Sequence, residues 1–251
     1  MDNTTLNSIR KAEKASHIEI YSTAKLFENG SWLQKPVKTV MDLMPFFEKH
    51  QEIRVLDLGC GVGRNCIPIA QAYKGKCRID CVDILEFAIE KLNDNSTNFD
   101  VENEINGIVS SIDDYEIQKN GYDLIFAVSA LEHVDNVESF KNKLTEISKG
   151  IKENGIVCLI INSQITEINK ENGLPLIPQF EVNLKTQELL EMLNQTFEGW
   201  KIIKNTVRSQ RYDIPRENCV SDLTTDVVTY VACKTTSSTA SGPPSPQGEG
   251  F

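Results

Sequence analysis

Residues 55–65 read Val-Leu-Asp-Leu-Gly-Cys-Gly-Val-Gly-Arg-Asn, and this stretch decides the fold. The apolar run that ends at Leu58 is typical of a buried β-strand, and glycines follow it at alternate positions, Gly59, Gly61 and Gly63. Glycine permits the backbone conformations of a tight turn, and a helix that begins directly after such a turn presents its amide groups to a ligand. The stretch therefore predicts a strand, a ligand-binding turn and a helix in succession.

The same alternation of strand and helix continues along the chain. The predicted strands are 53–58, 78–83, 104–109, 122–128 and 155–161, followed by a terminal hairpin of 200–207 and 225–233. Helices between strands imply a parallel sheet, and runs that are apolar throughout imply that both of its faces are covered. We predict an α/β fold: a Rossmann-like three-layer sandwich around a seven-stranded, mostly parallel sheet with an antiparallel last strand.

Helical patterns occupy the intervals between these strands. The predicted crossover helices are 64–73, 85–93, 137–151 and 186–196. Pro68 lies inside the first of them, where it removes a helical hydrogen bond unless it falls within the first turn. The sequence therefore does not fix the first residue of that helix to within several positions.

The chain divides into three predicted regions. Residues 1–50 form an N-terminal helical cap over the sheet, and residues 51–234 form the main domain. Residues 235–251 are rich in Ser, Thr, Gly and Pro, so they bury too little apolar surface to offset their ordering entropy. We expect that last segment to be a disordered tail.

The charge and the apolar pattern argue against two kinds of partner. The formal net charge of -10 repels phosphate backbones, and no cluster of Lys and Arg counters it. The longest apolar run, Ile156–Ile161, is far shorter than the roughly 20 residues of a membrane helix. We expect a cytoplasmic protein, a monomer or homodimer, that binds neither nucleic acid nor membrane.

The seven cysteines are scattered without the paired spacing of a zinc site or of a disulfide framework. We interpret them as reduced, mostly buried residues, and we expect no metal. Reduced thiols agree with a cytoplasmic location.

Asp57, directly before the glycines, indicates which ligand the turn accepts. A dinucleotide site prefers a G-x-G-x-x-G spacing, whereas here the glycines alternate and Arg64 follows. The carboxylate repels a pyrophosphate but attracts S-adenosylmethionine (SAM), which carries an ammonium and a sulfonium and has no phosphate. Asp83, at the end of the second strand, is placed to accept ribose hydroxyl groups from either cofactor.

These segments resemble a known family. Residues 55–65, together with Cys81-Val82-Asp83-Ile84, resemble the cofactor motifs of class I SAM-dependent methyltransferases. Residues 122–134 are similar to the family's fourth strand and following loop, and the terminal hairpin matches its last two strands. Residues 63–65 and Phe197-Glu198-Gly199-Trp200 also resemble small-molecule methyltransferases of the tellurite-resistance type. The resemblance covers most of residues 54–234 and implies methyl transfer from SAM to a small-molecule acceptor.

The resemblance also implies roles for individual residues. Gly59 and Gly61 face the methionyl part of SAM, and Asp57 contacts its ammonium directly or through water. Asp83 binds the ribose, and Ile84 packs on the adenine. Ser111 stands where the family often has an acid, so Ser111, Ile112 or Asp113 supplies the adenine contacts. The remaining residues assigned to the cofactor site are Cys60, Asn65 and Val128.

Fewer sequence features indicate which residues bind the methyl acceptor. His133 follows the fourth strand at the edge where ligands bind, and it is a candidate general base; alternatively, it only supports the loop. A base is needed only if the acceptor holds a proton. Tyr21, Trp32 and Tyr212 are candidate walls of the acceptor pocket, or ordinary packing residues.

Two other functions stay open at this point. A non-catalytic SAM-binding sensor or accessory protein would keep the same glycine turn. An NAD-dependent oxidoreductase would need a turn that tolerates a diphosphate, and both Asp57 and the glycine spacing argue against it.

Overall fold

The computed structural model describes residues 17–216 and 218–235. The strands are β1 (Ile53–Leu58), β2 (Cys77–Asp83), β3 (Ile105–Val109), β4 (Tyr122–Val128), β5 (Ile151–Asn169), β6 (Pro175–Leu176), β7 (Lys201–Arg216) and β8 (Cys219–Cys233). The helices are α1 (17–23), α2 (Lys38–Met41), α3 (Cys66–Ala72), α4 (Glu86–Asn98), α5 (Val137–Gly150) and α6 (Thr186–Thr196), with short 3-10 helices at Trp32–Gln34, Met44–Phe47 and Leu131–His133. The first 16 residues of the predicted cap, and the predicted tail after Thr235, lie outside the described residues.

The strands form one sheet in the order β3-β2-β1-β4-β5-β8-β7. Strands β1 to β5 pair in parallel, and β8 lies antiparallel between β5 and β7. The predicted α/β class, the mostly parallel sheet and the antiparallel last strand are therefore confirmed. The seven predicted strands make up the continuous path, and the two-residue β6 adds an eighth by pairing with β5.

The burial of strand β4 on both faces explains why its sequence is apolar throughout. Leu124 and Phe126 belong to the hydrophobic cluster under α3 and α4, whereas Ile125 and Ala127 belong to the cluster under α5 and α6. All four side chains are fully buried. Successive residues of a strand point to opposite faces, so a strand covered on both faces needs apolar residues at every position.

Residues 17–50 share the core on the α3 side of the sheet. Leu33, Val40 and Phe47 are buried in the same cluster as residues of β1 and α3. The backbone amide of Val37 also donates a 2.9 Å hydrogen bond to Oδ1 of Asn65. This bond ties the N-terminal region to the end of the glycine turn.

Helix α3 begins at Cys66, two residues after the predicted start, which places Pro68 in its first turn. The first amide groups of a helix have no intrahelical acceptor, so proline is tolerated there. Among the described residues, no helix combines the length and the apolar character that crossing a membrane requires.

Strands β5, β7 and β8 extend well beyond their predicted bounds of 155–161, 200–207 and 225–233. Their distal parts, residues 162–169, 208–216 and 219–226, pair as a three-stranded antiparallel unit that we call the ribbon. The ribbon sequence is mostly polar, and such residues give a weak strand signal. Pairing between strands, rather than burial on both faces, extends these elements. β7 forms one edge of the sheet and is largely exposed.

Candidate active site

A cavity of about 620 Å³ opens at the carboxyl ends of β1, β2 and β4. Pockets of roughly 300–1,000 Å³ are typical of small-ligand sites. The glycine turn, the segments after β2, β3 and β4, the N-terminal residues and the ribbon all contribute to its wall. Every predicted site residue except Asp57 lines this cavity. The chain therefore brings together residues that are far apart in sequence, such as Tyr21 and Tyr212.

Close packing requires glycine at two positions of the turn. Gly59 has a φ of 75°, and a Cβ atom there would lie 2.3 Å from Cβ of Ala130. Gly61 has a φ of 53°, and its Cβ would lie 2.7 Å from the hydroxyl oxygen of Tyr21. L-residues with side chains rarely adopt this conformation. The turn consequently presents bare backbone between the loop after β4 and the N-terminal residues.

Asp83 holds the turn in place from the end of β2. Its Oδ2 accepts a 2.8 Å hydrogen bond from the amide of Gly61, and its Oδ1 accepts a 2.9 Å bond from the amide of Leu85. These two bonds fix the carboxylate in the cavity wall. Asp83 therefore positions the backbone that faces a ligand, whatever it contacts in the ligand itself.

Asp57 lies beneath the turn and is only 1% exposed. The thiol of Cys66 lies near this side chain, and Oδ2 has no hydrogen-bond partner within the described residues. Burial, reinforced by the nearby Asp83 carboxylate, raises the pKa of Asp57 well above its ordinary value. A buried carboxylate with an unpaired oxygen is costly, and a cation held above the turn offsets that cost. This donor set fits a positively charged ligand.

A group of thiols packs under the same turn. Cys60, Cys66 and Cys81 lie close together there, and all three residues are buried. Burial raises the pKa of Cys60 to about 12, so its thiol is protonated and unreactive at neutral pH. Cys60 thus contributes a small wall to the cavity. Within residues 17–216 and 218–235, no group of His, Cys, Asp and Glu has the arrangement of a metal site.

The cavity wall next to β2 and β3 combines apolar and acidic side chains. Ile84 is 59% exposed at this wall, which is unusual for an isoleucine unless a ligand covers it. The Ser111 hydroxyl is bonded to Asp114 at 2.7 Å and is therefore engaged within its own turn. Burial raises the pKa of Asp113 although the amide of Asp135 donates to its carboxylate. Together with Ile112 and Val128, these residues form a wall suited to a flat heterocycle.

Arg64 adds a fixed positive charge that the sequence analysis did not assign to the site. The Arg64 guanidinium donates a 3.1 Å hydrogen bond to the carbonyl of Trp32 and lies 5.1 Å from the centroid of its ring. Burial lowers the Arg64 pKa, while the Asp57 carboxylate acts in the opposite direction. The cavity therefore has both a cationic group and acidic groups near the turn.

Aromatic side chains line the opposite part of the cavity. Tyr21 and Trp32 meet edge to face with their ring centroids 6.1 Å apart. Tyr212 comes from the ribbon, and His17 comes from α1. The N-terminal residues and the ribbon thus contribute aromatic side chains to the cavity that the glycine turn also lines.

His133 lies in the same cavity and is paired with an acid. Its Nδ1 lies 3.0 Å from Oε2 of Glu181, and its ring stacks on Phe180 with the centroids 5.1 Å apart. The side chain of Glu181 is 1% exposed and that of His133 is 21% exposed. Sequence reasoning missed Glu181 because it is 48 positions from His133 and no motif surrounds it.

The loop between β4 and α5 is held firmly from below. Ser129 has a φ of 50°, a strained conformation for a residue with a side chain, and its amide donates to the carbonyl of Ile160. Oε1 of the buried Glu132 accepts hydrogen bonds from both the amide and the side chain of Asn162. This loop therefore presents His133 from a rigid support.

A sequence profile described as a methyltransferase domain matches residues 49–226. The match covers more than half of the chain and includes the glycine turn, Asp83 and the loop that carries His133. The chain belongs to this methyltransferase family. The family resemblance predicted from the sequence is thereby confirmed, and the assignment supports SAM as the cofactor.

The curated proteins that are similar to this chain are named as methyltransferases. Over 176 residues it is 28% identical to the ubiquinone biosynthesis O-methyltransferase of Rickettsia akari (strain Hartford), which corresponds to 64% of this chain and 65% of that protein. Over 91 residues it is 33% identical to the pavine N-methyltransferase of Thalictrum flavum subsp. glaucum, or 36% of this chain and 25% of that one. The chain thus spans just under two thirds of the Rickettsia protein.

Solved structures share the fold of this methyltransferase at low sequence identity. TehB from Haemophilus influenzae superposes with a TM-score of 0.59 at 19% identity, covering 79% of this chain and 62% of that one. A geranyl diphosphate methyltransferase in complex with SAM superposes with a TM-score of 0.55 at 13% identity, covering 79% of this chain and 85% of that one. These similarities support the fold and leave the subfamily a prediction.

Proposed function

We propose that this methyltransferase transfers the methyl group of SAM to a small-molecule acceptor. The observation that carries the proposal is the bare glycine turn above the buried Asp57, whose Oδ2 lacks a partner among the described residues. SAM brings positive charge and no phosphate to this acidic turn, whereas a dinucleotide brings a pyrophosphate. The charge of the site therefore favours SAM over NAD.

In this proposal, different residues of the cavity contact different parts of SAM. Gly59 and Gly61 face its methionyl part, and Asp57 stabilises the ammonium from beneath the turn. Arg64, which lines the cavity, pairs with the carboxylate of the same methionyl group. Asp83 would hold the ribose. Ile84, Ile112, Asp113 and Val128 would hold the adenine with Ser111 beside them, and Cys60 and Asn65 would line the donor site at the turn.

Positioning supplies much of the catalysis. Bound SAM carries an already activated methyl group, so the reaction is an in-line displacement in which alignment of the acceptor matters most. The turn is fixed by Asp83, and the loop after β4 is fixed by Glu132. Tyr21, Trp32 and Tyr212 close the acceptor side and exclude water from the reacting atoms.

The names of the curated relatives support a small acceptor. One relative is an O-methyltransferase of ubiquinone biosynthesis, and another is an N-methyltransferase of pavine. The cavity volume, about 620 Å³, also suits a small organic molecule beside the donor. A polar acceptor side that includes His133 and Glu181 favours an enzyme over a non-catalytic sensor.

Calorimetric titration with SAM and with NAD tests the proposal. We expect saturable binding of SAM and no binding of NAD. A screen of small-molecule acceptors by coupled detection of S-adenosylhomocysteine then tests turnover. Failure to bind SAM would contradict the function, whereas binding without turnover of any acceptor would favour a sensor.

The proposal also includes a cytoplasmic monomer or homodimer that does not bind nucleic acid. All seven cysteines are free, which suits a reducing compartment. The net charge of -10 opposes association with nucleic acid. Light scattering after gel filtration reports the oligomeric state, and binding to labelled DNA and RNA tests the remaining expectation.

A further inference from the structure

We infer that Arg64 links the two halves of the cavity: it binds the carboxylate of SAM and, through Trp32, fixes the aromatic side chains that the acceptor then meets. This inference rests on the proposed function and goes beyond it, because it makes binding of the acceptor depend on the amino-acid part of the donor. Arg64 and Trp32 line the same cavity. Arg64 is a positioning residue for the acceptor, since it acts on the acceptor through Trp32.

Two contacts fasten the Arg64 guanidinium to Trp32. Its Nη1 donates a 3.1 Å hydrogen bond to the carbonyl of Trp32, and its central carbon lies 5.1 Å from the centroid of the indole ring. A guanidinium can make both contacts at once because its N–H donors lie in a plane whose faces are free to stack. A shift of this side chain is therefore transmitted to both the backbone and the ring of Trp32.

The same guanidinium keeps a donor for a ligand. Nε of Arg64 is buried and has no hydrogen-bond partner among the described residues. A buried donor without a partner is costly, and a carboxylate that accepts from Nε and from a terminal nitrogen side by side removes that cost. Because Nε is buried, a carboxylate reaches it only if the side chain shifts. Binding of the donor therefore changes the position of Trp32.

An aromatic row, formed by Trp32, Tyr21 and His17, carries this change across the acceptor side of the cavity. Trp32 and Tyr21 meet edge to face with their ring centroids 6.1 Å apart, and the rings of Tyr21 and His17 are 5.6 Å apart. All three side chains line the cavity. Rings in contact share one packed arrangement, so the position of Trp32 constrains its neighbours. The acceptor thus meets a wall whose geometry depends on Arg64.

The residues on either side of Trp32 are anchored, which confines the change to the aromatic row. Leu33 is fully buried, and its amide donates a 3.2 Å hydrogen bond to the hydroxyl oxygen of Ser31. The amide of Val37 is held by Asn65 at 2.9 Å. The side chain of Trp32 is by contrast 45% exposed. We therefore expect the indole to respond to the donor while the rest of the N-terminal region stays in place.

The link predicts which donor analogues organise the aromatic row. S-adenosylhomocysteine carries the same amino-acid part as SAM and can pair with Arg64. Methylthioadenosine keeps the adenosine and the thioether but lacks the carboxylate. We expect the first compound to fix Trp32 and the second to bind without doing so. SAM consequently binds before the acceptor.

Fluorescence quenching of Trp32 tests the link. The chain has two tryptophans, and Trp200→Phe leaves Trp32 as the only reporter. We expect saturating S-adenosylhomocysteine to lower the quenching of Trp32 by acrylamide about twofold, because pairing with Arg64 favours one position of the indole. Saturating methylthioadenosine should leave the quenching unchanged.

Variants of Arg64 in the same background separate the charge from the link. Arg64→Gln should lower the affinity for S-adenosylhomocysteine about tenfold, as expected for one charge-assisted hydrogen bond, and should abolish the change in quenching even at saturation. Arg64→Lys keeps a cation for the carboxylate but cannot hold the carbonyl and the ring of Trp32 at once. It should restore most of the affinity without the change in quenching. Arg78→Gln, at an exposed position of β2, is the matched control and should behave like the parent protein.

Hydrogen exchange measures the same link without replacing a tryptophan. In wild-type protein, S-adenosylhomocysteine and methylthioadenosine should both slow exchange at residues 83–85, which border the predicted adenosine site. Only S-adenosylhomocysteine should slow exchange at residues 31–34. Arg64→Gln should lose the protection of 31–34 and keep that of 83–85.

Two outcomes overturn the link. One is equal protection of Trp32 by methylthioadenosine and by S-adenosylhomocysteine. The other is full protection of Trp32 by S-adenosylhomocysteine in Arg64→Gln at saturation. Failure of wild-type protein to bind S-adenosylhomocysteine and SAM at all would instead contradict the proposed function.

Discussion

Among single residues, Asp57 makes the binding of a cationic ligand depend on the protonation of its carboxyl group. Burial raises its pKa, so the ligand-free carboxyl keeps its proton to a higher pH than an exposed aspartate does. A cation above the turn favours the carboxylate and lowers that pKa. Between the lower pKa of the complex and the higher pKa of the free protein, binding of SAM therefore releases a proton.

We expect calorimetry of SAM binding in buffers of different ionisation enthalpy to detect this proton release. The release should vanish in Asp57→Asn, and the affinity should fall about tenfold because a charge-assisted interaction is lost. The exposed Asp94→Asn is the matched control and should behave like the wild type. Proton uptake on binding, or an unchanged release in Asp57→Asn, would exclude this role for Asp57.

A site residue can be predicted from the sequence when the residues that define its role are close to it in the sequence. The glycines, Asp57 and Asp83 could be assigned because strand, turn and helix follow one another within a few residues. Arg64 is in the same motif, yet its place in the cavity depends on its packing against Trp32. Glu181 reaches His133 only through a tertiary contact, and a single sequence carries no signal for that.

At the scale of elements, a buried ion pair holds the ribbon together. Glu167 accepts hydrogen bonds from Nε and Nη2 of Arg216 at 2.7 and 2.6 Å and from the hydroxyl of Ser221. The side chain of Glu167 is fully buried, and that of Arg216 is mostly buried. The pair joins β5 to the hairpin of β7 and β8 at the far end of the ribbon.

We expect Glu167→Gln to lower the free energy of unfolding by ~3 kcal/mol, because it leaves the Arg216 charge without a counterion in a mostly buried site. Equilibrium urea unfolding measures the change. Asp213→Asn breaks an exposed ion pair with Lys170 in the same ribbon and should cost less than ~1 kcal/mol. Equal losses in the two variants would show that burial of the pair does not matter.

The central strands could be predicted, whereas the ribbon could not, for one physical reason. Apolar side chains on both faces mark the buried strands β1 and β4 in the sequence. The ribbon is stabilised by pairing and by polar pairs such as Glu167 with Arg216, and these involve residues 49 positions apart. The sequence predicts helix α3 but not its first residue, because Pro68 is compatible with a helix only in the first turn.

For the whole molecule, the cavity joins three parts of the chain that are far apart in sequence. Tyr21 and Trp32 come from the N-terminal residues, the glycines from the first turn of the sheet, and Tyr212 from the ribbon. The boundaries of the three predicted regions at residues 50 and 234 stay a prediction. The shared cavity nevertheless means that ligand binding involves the N-terminal region as well as the sheet.

We expect S-adenosylhomocysteine to slow hydrogen exchange at residues 17–33, 59–65 and 208–214 together, because all three segments border the ligand cavity. Mass spectrometry of peptides from the exchanged protein measures the effect. The outer face of α5 should exchange at the same rate with and without ligand, and NAD should protect nothing. Protection confined to 59–65 would mean that the N-terminal residues and the ribbon do not close over the donor.

The exposed edge strand β7 has a consequence for colloidal behaviour. The outer edge of this 16-residue strand is a template on which another chain can add a strand, and this is a common route to aggregation. Lys201 and Arg208 place positive charges along this edge, whereas the charge of Arg211 is paired with Asp222. Two such edges repel each other when they approach, so the strand protects itself against its own copies. We therefore expect this edge to be disfavoured as the interface of a homodimer.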